Sequence, residues 1–261
     1  YDDQGGNYQL VTSGLGIRFG VPFSEVDTVY FGGSLERTQI RPGTNIPAAY
    51  LAYAERFGYT SASIPLAVGW ARDDRDSTLV PTKGRYQRAM GEWGIAGDAR
   101  YLRFNAQYQH YLPVTRQYTF AFNAELGWGK GLNGRDFPVF KNFYSGGLGS
   151  VRGFDQGTLG PRDVTGSTIG GPKKITLNSE FIAPFPGAGN DRTLRMFAFV
   201  DAGNVFGEHE KMRMTDLRAS VGVGLSWLSP IGPLRIAAAN PVRKQPGDRI
   251  QKLQFQIGTS F

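Results

Sequence analysis

With 2 histidines and no cysteine in 261 residues, few side chains suit nucleophilic or general-base chemistry. A hydrolytic site needs a nucleophile, a base beside it and a group that orients the base. His110 falls near the end of an alternating segment, on its apolar side, and His209 sits between Glu208 and Glu210. An interfacial and a solvated histidine is the simpler reading of the two. Asp73, Asp74 and Asp76 could suggest a cation site, but Arg72 and Arg75 are interleaved with them, which favours a charge-balanced turn. Without cysteine there is no thiolate metal site and no disulfide. The reading is therefore of a chain with no metal, no cofactor and no enzymatic role. What remains is an arginine and two acids. Arg152 lies in Gly146-Gly147-Leu148-Gly149-Ser150-Val151-Arg152-Gly153-Phe154, Glu180 on the polar face of the next alternating segment, and Asp201 in Phe199-Val200-Asp201-Ala202-Gly203. Their chemistry is recognition, because a guanidinium fork matches carboxylates in a bidentate way. Glycine permits tight turns and close backbone approach, and a loop that also carries Val151 and Phe154 does not suit solvent. It is expected to fold inward with Arg152 at its tip.

The elements that must position these residues are strands. Leu253, Phe255, Ile257, Thr259 and Phe261 alternate with Gln254, Gln256, Gly258 and Ser260. Val221, Val223, Leu225 and Trp227 alternate with small residues, and so do Ile64, Leu66, Val68 and Trp70; near the start, Leu15, Ile17, Phe19 and Val21 alternate with Gly14, Gly16, Arg18 and Gly20. Such period-2 patterning recurs in about eleven segments of some ten residues, the length that crosses a bilayer when tilted. Two segments are less clean. Tyr86 to Ile95 has mixed faces, and Leu194 to Asp201 puts Phe197 and Phe199 on the face of Arg195 and Asp201. No segment has convincing helical periodicity. Aromatics such as Trp70, Tyr108, Trp128 and Trp227 collect near segment ends, as in a membrane-interface girdle. A mean hydropathy of −0.31 does not argue against a membrane, since only alternate residues of a barrel strand face lipid. The net charge of +7 comes from scattered basic residues, with no nucleic-acid patch. The expected fold is all-β: a single antiparallel transmembrane β-barrel domain over residues 1–261, with a long loop, about Gly131 to Lys173, in its lumen.

Link lengths assign the sides. Short turns near Pro22-Phe23-Ser24-Glu25, Pro113-Val114-Thr115-Arg116, Gly187-Ala188-Gly189-Asn190 and Ser229-Pro230-Ile231-Gly232-Pro233 read as periplasmic. Longer links at Arg41 to Tyr59, Gly131 to Lys173, Gly207 to Thr215 and Asn240 to Gln251 read as external. The Ser77 to Lys83 link falls on the periplasmic side and the Gly97-Asp98 turn outside. The last strand then ends in the periplasm and the first begins outside. An odd strand count of this kind is expected of a fragment whose preceding strands lie before Tyr1.

Several segments together resemble one family. Val151-Arg152-Gly153-Phe154, with the lead-in Asn142-Phe143-Tyr144-Ser145-Gly146-Gly147, resembles the signature loop of the outer-membrane insertase and two-partner-secretion superfamily. Asp74-Arg75-Asp76 followed by Pro81-Thr82-Lys83-Gly84 resembles its periplasmic turn. Phe199-Val200-Asp201-Ala202-Gly203 and Trp227-Leu228-Ser229-Pro230-Ile231-Gly232-Pro233-Leu234 match two further segments, and Leu253 to Phe261 resembles an outer-membrane targeting strand. The resemblance implies a sixteen-stranded barrel after periplasmic POTRA domains, with its last eleven strands here. It implies a loop latch of Val151, Arg152, Gly153 and Phe154 pairing with Glu180 and Asp201. It also implies a lateral gate at the last strand, where Leu253, Phe255, Ile257 and Phe261 face outward and Gly258 can loosen the pairing. The implied partners are unfolded outer-membrane proteins, the lipid bilayer, POTRA domains and assembly lipoproteins. Within the superfamily, a polypeptide secretion pore and the barrel of a patatin-like protein stay open as alternatives.

Overall fold

A computed structural model describes residues 8–43, 46–187, 193–230 and 232–258. The alternating segments become strands, because period-2 side chains sort an apolar set to one face and a small or polar set to the other. In chain order they are β1 (Gln9–Pro22), β2 (Asp27–Arg41), β3 (Thr60–Asp73), β4 (Gly84–Gly97), β5 (Tyr101–Pro113) and β6 (Thr119–Gly131). There follow β7 (Gly153–Phe154), β8 (Lys173–Pro184), β9 (Leu194–Phe206), β10 (Arg218–Ser229), β11 (Gly232–Arg243), β12 (Ile250–Gln251) and β13 (Leu253–Ile257). Among the described residues, 11 of them form one antiparallel meander in the order β1-β2-β3-β4-β5-β6-β8-β9-β10-β11-β13. The two shortest, β7 and β12, pair with each other as a separate ribbon. β1 and β13 are the edges of the large sheet and are not paired with one another, so the sheet is open.

The outward face is a continuous apolar surface. Leu15 is 82%, Val68 62%, Val223 58% and Phe255 76% exposed, levels that a water-soluble sheet would hide. Among the described residues no helix is long and apolar enough to cross a membrane; the strands supply the spans. β4, whose faces read as mixed, pairs with β3 throughout apart from a bulge at Ile64/Pro65, where proline has no N–H to give to the ladder.

The turns at 23–26 and 114–118 are short, whereas the opposite end carries the links 42–59, 132–172, 207–217 and 244–249. Parts of the expected turns at Ala188 to Asn190 and at Ile231, and the terminal Thr259, Ser260 and Phe261, lie outside the described residues. On the short-turn end, Pro81 of the 74–83 link accepts a hydrogen bond from Arg195 of β9 at 3.3 Å, so that link reaches across the inner face.

One expectation is corrected. The Arg41 to Tyr59 link is not without helix: it contains α1 (Ala48–Phe57). Its alanines are strong helix formers, and Tyr50, Tyr53 and Ala54, at i, i+3 and i+4, make one buried face. Tyr53 and Ala54 pack with Ile40, Ile46, Val139 and Phe140. The first helical N–H, that of Ala48, is capped from a distance by the Asp163 carboxylate at 2.7 Å. A single ten-residue helix is masked by the period-2 signal around it.

Candidate functional site

The antiparallel register of β8 and β9 sets Asn178 opposite Asp201 and Glu180 opposite Phe199. Asn178, Glu180, Phe199 and Asp201 therefore crowd one patch of the inner face. The 132–172 link folds onto it. Arg152 donates from Nε to Asp201 Oδ2 and from Nη2 to Asp201 Oδ1, both at 2.6 Å, while its backbone N–H donates to Oδ2 at 3.0 Å. Its remaining Nη1 donates to Glu180 Oε1. Asn178 Nδ2 donates to Asp201 Oδ1 at 2.8 Å and to the Ser150 carbonyl at 2.6 Å, which ties the same carboxylate to the loop backbone. The side chains of Arg152 and Asp201 are 3% and 0% exposed.

A second arginine completes the charge balance. Arg235 of β11 donates from Nη2 to both Glu180 oxygens, at 2.8 and 3.1 Å. Two guanidinium groups thus face two carboxylates. Arg152 lies 3.6 Å from the Phe199 ring centre, and Arg235 lies 4.7 Å from that of Phe197; cation–π contact compensates part of the lost hydration. The arrangement recognises and holds; it places no nucleophile beside a base.

Apolar packing surrounds the ionic centre. Val151, Phe154 and Leu159 are fully buried and touch one another. Gly203 of β9 gives Val151 its place, since a Cβ there would stand 2.7 Å from Val151 Cγ2 and 2.8 Å from the Ile175 carbonyl. Gly153, at φ +88°, turns the chain directly after the arginine in the left-handed region that favours glycine. Beyond it, Gly153 and Phe154 pair with Gln251 and Ile250, and Asp155 N–H donates to the Arg249 carbonyl at 3.0 Å. The outer end of the link is fixed separately: Tyr50 and Tyr144 share a hydroxyl–hydroxyl hydrogen bond of 2.7 Å.

The structure thus brings Val151, Arg152, Gly153, Phe154, Glu180 and Asp201 together. The residues chosen from the last strand divide. Leu253, Phe255 and Ile257 point outward and are exposed, Gly258 adopts φ +93° just after β13, and Phe261 lies outside the described residues. Arg235, Asn178 and Gln254 belong to the site and were not singled out from the sequence. Each sits on a polar strand face, which was the available signal. The irregular face of β9 also had a cause, because Phe197 and Phe199 line the seat of Arg152.

The other candidates lie elsewhere. His110 is on β5 with its ring against Tyr108, and His209 is exposed in the 207–217 link. Asp73 pairs with Arg75. Asp74 accepts the Arg85 N–H, and Asp76 accepts the N–H groups of Thr82 and Lys83 at 2.8 and 3.1 Å. These acids close a turn.

The Omp85 superfamily domain matches residues 1–261. The chain belongs to this superfamily. It is 34% identical to the outer membrane protein assembly factor BamA of Neisseria meningitidis serogroup B, over 97% of this chain and 37% of that protein. It is 30% identical to BamA of Nitratidesulfovibrio vulgaris, over 96% of this chain and 32% of that protein. The chain therefore spans about a third of the length of these relatives. Among solved structures, BamA of Haemophilus ducreyi lacking POTRA domains 1-3 superposes with a TM-score of 0.87 at 25% identity, covering 95% of this chain and 54% of that one. CdiB of Acinetobacter baumannii gives 0.61 at 14% identity, covering 95% of this chain and 41% of that one, a likeness of fold alone. This Omp85 chain is a β-barrel segment of the bacterial outer membrane.

Proposed function

We propose that this chain is the C-terminal barrel portion of an outer-membrane protein assembly factor, inserting unfolded β-barrel proteins into the bilayer. The observation that carries the reading is the 34% identity to an assembly factor across 97% of the chain. In this reading the parent's barrel continues beyond these eleven strands and follows periplasmic POTRA domains, which work with assembly lipoproteins. Val151, Arg152, Gly153 and Phe154 act as a latch on Glu180 and Asp201. The last strand, β13, borders a lateral gate where incoming strands pair by their edges. The chemistry is non-covalent, with no cofactor and no catalytic residue. The buried ionic seat supports the latch role, since an arginine held by two carboxylates of the wall fixes the loop that carries it.

The test uses the full-length parent in proteoliposomes with an unfolded outer-membrane protein as substrate. Faster appearance of the folded, membrane-inserted substrate is expected, with the rate lowered in Arg152→Ala. Release of the substrate, unfolded, on the far side of the membrane would replace this reading with that of a secretion pore.

A further inference from the structure

Among the described residues, β13 has the shortest ladder of the large sheet. Its ladder with β11 runs only from Leu234↔Ile257 to Ala238↔Leu253, whereas β5 and β6 pair from Tyr101↔Gly131 to Pro113↔Thr119. Its outward residues bury little. Its one nine-tenths-buried side chain is Gln254, 4% exposed, on the inner face. The Gln254 carboxamide grips the Arg152 loop by its backbone. Oε1 accepts the Gly153 N–H at 3.2 Å, and Nε2 donates to the Phe154 carbonyl at 2.7 Å. A primary amide carries a donor and an acceptor side by side, so it serves these two peptide groups as a neighbouring strand would.

The grip falls on the two residues that directly follow Arg152. On one side Arg152 is locked to β9 and β8 through Asp201 and Glu180. On the other, Gly153 and Phe154 are held by Gln254 of β13 and by β12, immediately before it. If the loop left its seat, the Gln254 carboxamide would keep only a long contact, 3.4 Å, to Gln251 Oε1. If β13 left, the Gly153 N–H would lose the Gln254 oxygen, and the Phe154 carbonyl would keep only the Gly147 N–H at 3.0 Å. Losing buried hydrogen bonds is costly in either direction, and a coupling between two positions is reciprocal.

We infer that Gln254 is a positioning residue that couples the seating of the Arg152 loop to the placement of the last strand. The coupling runs through the loop backbone at Gly153 and Phe154. It is a property of the fold, and only its meaning for gate opening rests on the proposed function.

Hydrogen exchange by mass spectrometry on the full-length parent in lipid nanodiscs tests this, following peptides from 146–160 and 250–258. Four proteins are compared: wild type, Gln254→Leu, Arg152→Lys and the double variant, each first shown to keep its heat-modifiable mobility. Gln254→Leu is expected to speed exchange about tenfold in both peptides, the scale of losing a hydrogen bond or two. Arg152→Lys is expected to speed exchange in 250–258 when Gln254 is present and to add nothing there in the Gln254→Leu background. Exchange at 146–160 unchanged by Gln254→Leu would overturn the inference. So would equal loosening of 250–258 by Arg152→Lys with and without Gln254. Neither readout involves substrate assembly, so a parent that failed as an assembly factor would leave this coupling standing.

Discussion

Arg152 and Arg75 grip their aspartates with the same set of donors, in very different places. Arg75 donates from Nε and its backbone N–H to one oxygen of Asp73, at 2.8 and 3.2 Å, and from Nη2 to the other at 2.7 Å. Arg152 repeats that pattern on Asp201. But Asp73 is two residues from its arginine and its side chain is 39% exposed, whereas Asp201 is 49 residues away and fully buried. The first pair finishes a turn that the chain would nearly form unaided. The second closes a long loop against strands and keeps both ions out of water. Identical hydrogen-bond geometry therefore carries different energetic weight, because removing one ion from a dry pair strands the other, while water substitutes readily for an exposed partner.

The strongest way to break this contrast is Arg152→Ala. It leaves Asp201 buried without its counter-ion, with Asn178 still donating to it, and is expected to cost about 3–5 kcal/mol. The urea midpoint of the heat-modifiable form reads this out, and a change below about 1 kcal/mol would place the arginine in the same class as an exposed pair. Next, Gly203→Ala attacks the seat without touching a charge. The new methyl group collides with Val151 and with the Ile175 carbonyl, and overpacking of this kind costs about 1–3 kcal/mol. Protease cleavage within 146–160 should rise along with the loss of stability. Arg75→Ala should cost about 1 kcal/mol or less by the same urea measurement, its backbone turn being kept by Asp74 and Asp76.

The smallest effect is one of pH, in the turn alone. Partial burial pushes the Asp76 carboxyl up, but the Thr82 hydroxyl and the N–H groups of Thr82 and Lys83 outweigh it and hold the group below the ordinary carboxylate value. A carboxyl depressed on folding adds its full stabilisation above its unfolded value of about 3.9 and loses it as pH falls through the lower folded value. Limited proteolysis of the 74–83 link should therefore be flat between pH 5 and 7, by the same approximate reference, and increase only below that reference. Asp76→Asn should weaken the dependence, leaving the part carried by the Asp73–Arg75 pair.

How much of this was legible in the sequence differs by scale. The strands were, since each outward face of a lipid-facing sheet writes its alternation directly into the chain. So was the ionic pairing of Arg152, because a glycine-rich loop with buried-type apolar residues and a lone arginine needs acids on the wall. The helix α1 was not: its apolar face is made of Tyr50, Tyr53 and Ala54, a pattern too brief to stand out. Gln254 was read merely as one of the residues alternating with the apolar set of the last segment, and Arg235 was not singled out. Alternation gives the face a side chain points to, but not which distant loop reaches its height on the wall. Gln254 meets Gly153 across 101 residues, and that encounter depends on strand tilt and loop path.

The β7–β12 ribbon has a consequence for the order of events. Ile250 and Gln251 lie across Phe154 and Gly153, and Val151, Phe154 and Leu159 have no exposed surface left. The chain end therefore covers the tip of the loop. The expected order during biogenesis is the loop onto β8 and β9 first and the chain end second, since contacts distant in sequence form slowly. A polypeptide delayed in making its final strand should therefore wait with its loop already home.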